Sequence, residues 1–379
     1  MRILFLVYHG FSEVSGISKK IQAQIEGLQE NGYEVHCCYY DYNSQGHLCR
    51  FVDGEVLRDY GSGLWAALAQ RFDYAPVYDY CCRSGVEMVY ARSFQNATPM
   101  LVRLFRRLKA KGIRCVTEIP TYPYDKEFES FPLKRRAELW VDRLWRRSLA
   151  RQMEAIVTFS NATEIFGQRT IRISNGVSLK HIPLHHPTTT GSTLHIIGVA
   201  EVHIWHGYDR MIAGIGEYYR RGNVKRDIVF HIVGGVADSE MHTNAYAKGF
   251  AELIQDYDIA QRIVFHGQLF GDELNRVFDA CSFAVGSLGR HRSGISEIKT
   301  LKNREYATRG LPFIYSECDS DFDQMPYVVK APANDKPIDV DTIIGFLSNY
   351  TLSPREVRQT VSHLTWKVQM RNVVDSLSV

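Results

Sequence analysis

The sequence predicts an α/β protein built from two doubly wound, Rossmann-like domains facing across a cleft. Three observations lead there. Strand and helix patterns alternate along the chain, as βαβ units with a parallel sheet require. The alternation stops at a stretch without period and then restarts. The length of 379 residues suits two domains rather than one.

In the first half, Arg2–Tyr8 is an apolar strand and Ser18–Glu30 an amphipathic helix ending at Asn31-Gly32. Tyr33–Tyr39 and Val86–Tyr90 read as strands. Thr98–Lys111 is helical and stops at Gly112. Arg114–Ile119 is a strand, Leu133–Arg151 a long helix and Ala155–Phe159 a further strand. Ser174-Asn175-Gly176 is a turn, and His181–Ser192, rich in His, Pro and Thr, reads as an interdomain linker.

The second half opens with strand Leu194–Val199, helix Tyr208–Arg220 and strand Asp227–Val233. A helix near Ala245–Tyr257 and strand Ile263–Phe265 come next. Helix Glu273–Ala280, strand Phe283–Ser287, helix Leu301–Ala307 and strand Phe313–Tyr315 complete the series. The expected domains are therefore residues 1–185 and 186–355, and residues 356–379 read as a C-terminal helix. In such a fold, ligands sit at the carboxyl ends of the strands.

Composition narrows the function. A net charge of +3 gives no electrostatic footprint for nucleic acid. The apolar run at the N-terminus is far shorter than the roughly 20 residues that span a bilayer, and it lacks a cleavage site. The eight cysteines include the adjacent pairs Cys37-Cys38 and Cys81-Cys82, whose side chains on a strand would point to opposite faces. Reduced thiols in a cytoplasmic protein are the expectation. The fourteen histidines show no metal-ligand spacing. Asp319-Ser-Asp321-Phe-Asp323 has the look of a metal-binding pair but reads as loop or cap carboxylates. The first strand leads into His9-Gly10-Phe11-Ser12-Glu13, not the Gly-x-Gly-x-x-Gly of a nicotinamide enzyme.

The most specific segment runs from Ser296 to Ile314. Glu297 and Glu305 enclose seven residues, and a helix then enters Gly310-Leu311-Pro312 and a strand. This resembles the E-x7-E segment of glycosyltransferase family 4, retaining enzymes of the GT-B fold. Val14-Ser15-Gly16-Ile17-Ser18 resembles the family's Gly-rich first loop, and Ser174-Asn175-Gly176-Val177 its Asn-Gly-Val turn. Phe230–Gly235 and Val264–Gly267 match two donor-domain strands with their Gly turns. The match covers nearly the whole chain and is more specific in the second half.

The resemblance implies that Glu297 holds hydroxyls of the donor sugar and Glu305 the ribose, with Gly16 near the donor phosphates. It also implies that the final helix crosses back to the first domain. No cofactor is implied beyond the nucleotide-diphosphate sugar itself, a UDP- or GDP-sugar, and no metal. The acceptor would be a glycan or polyprenol-linked hydroxyl in bacterial surface polysaccharide synthesis.

The sequence departs from the family at Glu297-Ile-Lys-Thr, where the family has Glu-Gly-Phe-Gly. It departs again at Ala200 and His206, which stand at the family's diphosphate-binding Arg and Lys. Lys302 first, then Lys299, are the expected substitutes, with His206 donating a hydrogen bond. A cation in a helix's first turn opposes the helix dipole unless an anion joins it. Two other readings use the same fold: a binding or scaffold protein descended from a transferase, and a sugar-nucleotide epimerase.

In the first half, Arg92, Glu118 and Tyr122 are candidates on the acceptor side. Arg92 reads equally as a surface ion pair, and Glu118–Tyr124 as a structural Pro-Tyr turn. Residues 101–152 carry 14 basic and 6 acidic side chains. Leu133, Ala137, Trp140, Val141 and Leu144 recur there at helical spacing. Two readings fit: a helix packed on the core through that stripe, with a solvated basic face, or a peripheral contact with the anionic inner face of the membrane.

Overall fold

The computed structural model describes residues 1–11, 15–92, 96–125, 133–187, 191–244 and 247–377, with the backbone alone at 133–135. Its strands are β1 (Arg2–Leu6), β2 (Glu34–Tyr42), β3 (Leu48–Val52), β4 (Glu55–Asp59), β5 (Met88–Arg92), β6 (Arg114–Ile119), β7 (Ala155–Thr158), β8 (Glu164–Ile165), β9 (Gln168–Arg172), β10 (Leu194–Val199), β11 (Ile228–Val233), β12 (Ile263–Gly267), β13 (Phe283–Val285), β14 (Phe313–Tyr315) and β15 (Val328–Lys330). Its helices are α1 (Gly16–Gln29), α2 (Gly63–Phe72), α3 (Ala75–Arg83), α4 (Pro99–Ala110), α5 (Leu133–Ala150), α6 (Tyr208–Arg220), α7 (Asp238–Met241), α8 (Phe250–Tyr257), α9 (Gly271–Ala280), α10 (Leu301–Arg309), α11 (Val340–Ser348), α12 (Pro354–Thr360) and α13 (Trp366–Asp375).

The chain divides into two units: Met1–Gly176 with Leu364–Val379, and Val177–His363. The junctions thus fall at 176/177 and 363/364, not at 185/186 and 355/356. The expected linker belongs to the second unit. There the His185 N–H donates to the Arg309 carbonyl at 2.7 Å, and the His186 N–H to Asp279 Oδ1 at 2.8 Å. Residues 188–190 of that stretch lie outside the described residues.

In the first unit the strand order is β4-β3-β2-β1-β5-β6-β7-β9-β8. Strands β2, β1, β5, β6, β7 and β9 run parallel, and hairpins at β3–β4 and β8 finish the edges. Central strands such as Met88–Arg92 are buried throughout, as a parallel strand covered on both faces must be. Helix α4 shows why the flanking helices form. Thr98 caps it, Pro99 fills its first turn, and Leu101, Leu104, Phe105 and Leu108 share the buried face.

The C-terminus differs from a single helix. Helices α12 and α13 are separated by a 3₁₀ turn at Ser362–Leu364. Helix α13 belongs to the first unit and buries Trp366, Met370 and Val373 against α1. The approach is close enough that a Cβ on Gly27 would lie 2.7 Å from the Trp366 backbone, so this position takes only glycine.

In the second unit six parallel strands are ordered β12-β11-β10-β13-β14-β15. The order reverses between β10 and β13, which makes this edge the switch point where doubly wound sheets bind ligands. The helix expected over Ala245–Tyr257 begins at Phe250, and Ala245 itself lies outside the described residues.

A histidine chain crosses three strands of this sheet. His195 Nδ1 meets His231 Nε2 at 2.9 Å, and His231 Nδ1 meets His266 Nε2 at 2.9 Å. Burial, then the flanking His195 and His266, lower His231 to about 4. The unfolded chain takes up that proton near pH 6.5, which the folded unit resists. The stability tied to this neutral ring is therefore whole above about pH 6.5 and is lost as pH falls toward 4. Thermal melts across that window should show a falling Tm, and His231→Gln should make the fall shallower. Identical pH profiles for both proteins would contradict this.

Candidate functional site

Four ionisable side chains converge at the carboxyl edge of the second sheet. Residues 200–207 follow β10 and carry His206. Arg290 opens a 3₁₀ turn after β13, Glu317 follows β14, and Lys302 lies in the first turn of α10.

Two of these loops are tied together. The Leu288 N–H donates to the His206 carbonyl at 2.9 Å and the Gly289 N–H to the Trp205 carbonyl at 3.2 Å. Gly207 makes the approach possible: its φ is +62°, and a Cβ there would sit 2.7 Å from Leu288 and Gly289 backbone atoms. Beneath, Arg292 grips Asp209 through two bonds of 2.8 and 2.7 Å and reaches Asp335 at 2.7 Å. Such a bidentate pair fixes both loops.

Helix α10 is capped by Thr300, whose side chain accepts the Asn303 N–H at 3.4 Å. Lys302 is the second helical residue, and its Nζ is buried without a hydrogen-bond partner among the described residues. It sits 5.9 Å from the Tyr208 ring centroid. Burial, reinforced by Arg290 and opposed by Glu317, lowers its pKa to about 7.

Glu317 is 2% exposed, and neither carboxylate oxygen has a hydrogen bond from the described residues. Burial raises it to about 7 against the pull of Arg290 and Lys302. His206 accepts the His203 N–H on Nδ1 at 2.9 Å, so the neutral ring carries its proton on Nε2. Burial, then Lys302 and Arg290, hold its pKa well below the usual histidine range. Three donors and one carboxylate thus sit together at the switch point.

Lys302 and His206 lie close enough for the lysine to lower the histidine's pKa. Arg290 and Glu317 were missed, because they follow different strands and share no local motif. Lys299 precedes the helix cap and pairs with Asp321 at 3.4 Å, so it is not part of this cluster. Asp319 is fully buried and Asp321 largely so: both serve Arg304, through Asp319 at 2.7 and 3.1 Å and through Asp321. They are structural counter-ions rather than solvated loop carboxylates. Glu297 is exposed at a short parallel bridge to Cys318. Glu305 is half-buried and receives Arg309 one turn later at 2.9 Å.

The acceptor-side candidates lie in the first unit. Glu118 is 0% exposed and accepts Gln24 Nε2 and Tyr90 Oη, each at 2.6 Å. Lys20 lies 3.3 Å and Arg92 Nε 3.5 Å from it. Against the cost of burial, Lys20 and Arg92 keep its pKa below the usual carboxylate value. So Glu118 is buried between two cations, and Arg92 makes a buried ion pair rather than a surface one. Arg92 Nη1 lies 3.4 Å from Nε2 of His9, an exposed residue in the loop after β1. Tyr122 packs edge-on against Phe166 with centroids 5.7 Å apart. Gly16 opens α1, capped by Ser15, and Val14 lies outside the described residues.

The architecture is that of GT-B glycosyltransferases. Sucrose-phosphate synthase from Thermosynechococcus elongatus superposes with a TM-score of 0.59 at 14% identity, over 100% of this chain and 98% of that one. The catalytic domain of starch synthase IV from Arabidopsis thaliana, bound to ADP and acarbose, gives 0.59 at 11% identity over 99% and 98%. An E. coli trehalose-6-phosphate structure bound with UDP-2-fluoro glucose gives 0.57 at 12% identity over 100% and 99%. No family model and no curated protein matches the chain in sequence.

A buried cation without a partner costs stability in the ligand-free protein. Lys302→Met should therefore raise the Tm of the free protein at neutral pH by a few degrees, about 2–4 °C per kcal/mol of relieved desolvation. A Tm lowered by the substitution would show that Lys302 is already compensated.

Proposed function

We propose that this chain is a retaining, metal-independent glycosyltransferase of the family 4 type. It would move a sugar from a nucleotide-diphosphate sugar to a hydroxyl of a glycan or lipid-linked glycan in bacterial surface polysaccharide synthesis. The observation that carries the reading is Lys302, whose Nζ has no hydrogen-bond partner among the described residues, with Arg290 and the His206 Nε2–H, at the switch point of a GT-B nucleotide-type domain. The neighbours bound to ADP and to UDP-2-fluoro glucose support a nucleoside diphosphate as the anion.

In this mechanism the bond from the anomeric carbon to the diphosphate oxygen breaks. The acceptor oxygen then bonds to the same face of the sugar, and its proton passes to a diphosphate oxygen. Negative charge grows on the leaving group, and Lys302, Arg290 and His206 stabilise it in a site fixed before the donor arrives. A cation at the start of α10 and the helix amides act in the same direction once the anion is bound. Glu305 would take the ribose and Glu297 the sugar hydroxyls, since a carboxylate accepts two hydrogen bonds from a diol.

A thermal-shift screen with UDP, GDP, ADP and their sugars tests the reading, because a ligand of the folded state raises Tm. Stabilisation by at least one nucleoside diphosphate, undiminished by EDTA, is expected. Lys302→Ala should weaken nucleoside diphosphate binding at least about tenfold, a loss of about 1.4 kcal/mol, while nucleoside binding changes little. Equal loss for both ligands would remove Lys302 from the phosphate site. Glu305→Ala should abolish the nucleotide shift, and Glu297→Ala should impair turnover with nucleoside diphosphate still bound. An inverted product would overturn the retaining assignment.

A second reading, a donor-binding protein without turnover, draws on Ala200, where the family's Arg is missing. It predicts donor stabilisation with no sugar transferred or hydrolysed.

A further inference from the structure

Helix α2 is unusual for a surface helix. Only Ala66 is buried, and its outer face is apolar: Leu64 is 85% and Trp65 83% exposed, with Leu68 and Phe72 also exposed. Leu64, Leu68 and Phe72 are four apart and form one stripe, with Trp65 beside it. A ten-residue helix gains little from propensity alone. This one is fastened at its end by Tyr40, which donates to the Gln70 carbonyl, and by Arg71, which pairs with Glu138 on α5.

That ion pair brings α5 alongside. Its stripe does not face the core. Trp140 is 63% exposed and Leu144 is exposed one turn later, while Leu139, Asp142 and Leu149 face inward. Arg136, Arg143 and Arg147 share the outer face with Trp140 and Leu144. Helix α4 packs on α5 and exposes Arg103, Arg106 and Arg107. Of the two sequence readings of α5, a core-packed stripe or a face toward an anionic membrane, the exposure of Trp140 and Leu144 fits the outward aromatic and basic face.

We propose that the outer faces of α2 and α5 form a docking surface for an anionic lipid bilayer, with Trp65, Leu68 and Trp140 entering the headgroup region. Exposed apolar patches of this kind mark an interaction site. The charge selects the partner. Arginine side chains border the apolar residues, and the nearby Glu138 and Asp125 are engaged by Arg71 and Arg146. A second copy would bring like charge against like charge, whereas phosphate headgroups supply the missing sign. Trp beside Leu and Arg is the composition of an interfacial helix face. Among the described residues no helix is long and apolar enough to cross a membrane, so attachment through α2 and α5 would be peripheral. The proposal deepens the lipid-linked side of the reading above but does not use the nucleotide site.

The test is sedimentation of the full chain with phosphatidylcholine vesicles made with or without phosphatidylglycerol. Binding only to the anionic vesicles, weakened by salt, is expected. The double variant Trp65→Glu/Leu68→Glu, both positions solvent-facing, should bind roughly 100-fold more weakly, from the apolar area no longer buried. Its Tm and its thermal shift with nucleoside diphosphate should match the parent. Equal binding to neutral vesicles, no binding to either, or an unaffected double variant would each overturn the proposal. So would a parent dimer in sedimentation velocity that the variant converts to monomer, since a second copy would then own the face. Loss of every nucleotide shift with lipid binding intact would instead count against the transferase reading alone.

Discussion

The second unit is organised around a buried cation, Lys302, whose Nζ has no hydrogen-bond partner among the described residues. Lys302 lies where a helix dipole disfavours a cation, and it is buried beside Arg290, another cation. Glu317 is near enough to oppose the shift but is itself pushed up by burial. A fold tolerates such an arrangement only if the surroundings hold it in place. Here the Asp209–Arg292–Asp335 network and the Arg304–Asp319 pair fix the loops on either side. The well-paired ions around the switch point supply the rigidity.

Ions in the first unit follow a different logic. Glu118 gathers Lys20, Arg92, Gln24 and Tyr90 into a buried cluster at the ends of β5 and β6. Removing that carboxylate would take the counter-ion from two buried cations, which is costly. Arg92 carries the cluster outward to His9, whose Nδ1–H donates to the Gly10 carbonyl at 2.8 Å. The tautomer is therefore fixed with the lone pair on Nε2, and Arg92 lowers its pKa after burial does.

Much of the fold was legible because the buried parallel strands are short apolar runs bounded by turns. Arg114–Ile119, Leu194–Val199 and Phe313–Tyr315 have the boundaries that their residues predict. The hairpin β3–β4 was missed, although Asp53-Gly54, both at positive φ, is a strong hairpin signal. Strand β4 is largely exposed and carries no alternation to read. The apolar residues of α5 recur at helical spacing, and that left open whether the stripe packs on the core or faces outward. Periodicity reports a shared face but not which way that face points. The candidate site divides similarly. Lys302 was visible because it lies inside a recognisable segment, whereas Arg290 and Glu317 meet it only through the order of β13 and β14 in the sheet. Lys299, the second expected substitute, precedes the Thr300 cap and pairs with Asp321, a contact across 22 residues that no local pattern reveals.

If the partnerless cation is the diphosphate ligand, binding must change its protonation. At slightly alkaline pH a Lys302 held near 7 is substantially neutral, and an arriving diphosphate favours its charged form. Isothermal titration calorimetry of the stabilising nucleoside diphosphate, in two buffers of different ionisation enthalpy, measures the protons exchanged. The account predicts net proton uptake by the parent protein that Lys302→Met abolishes. Binding with no proton exchange, or with the same exchange in both proteins, would contradict it.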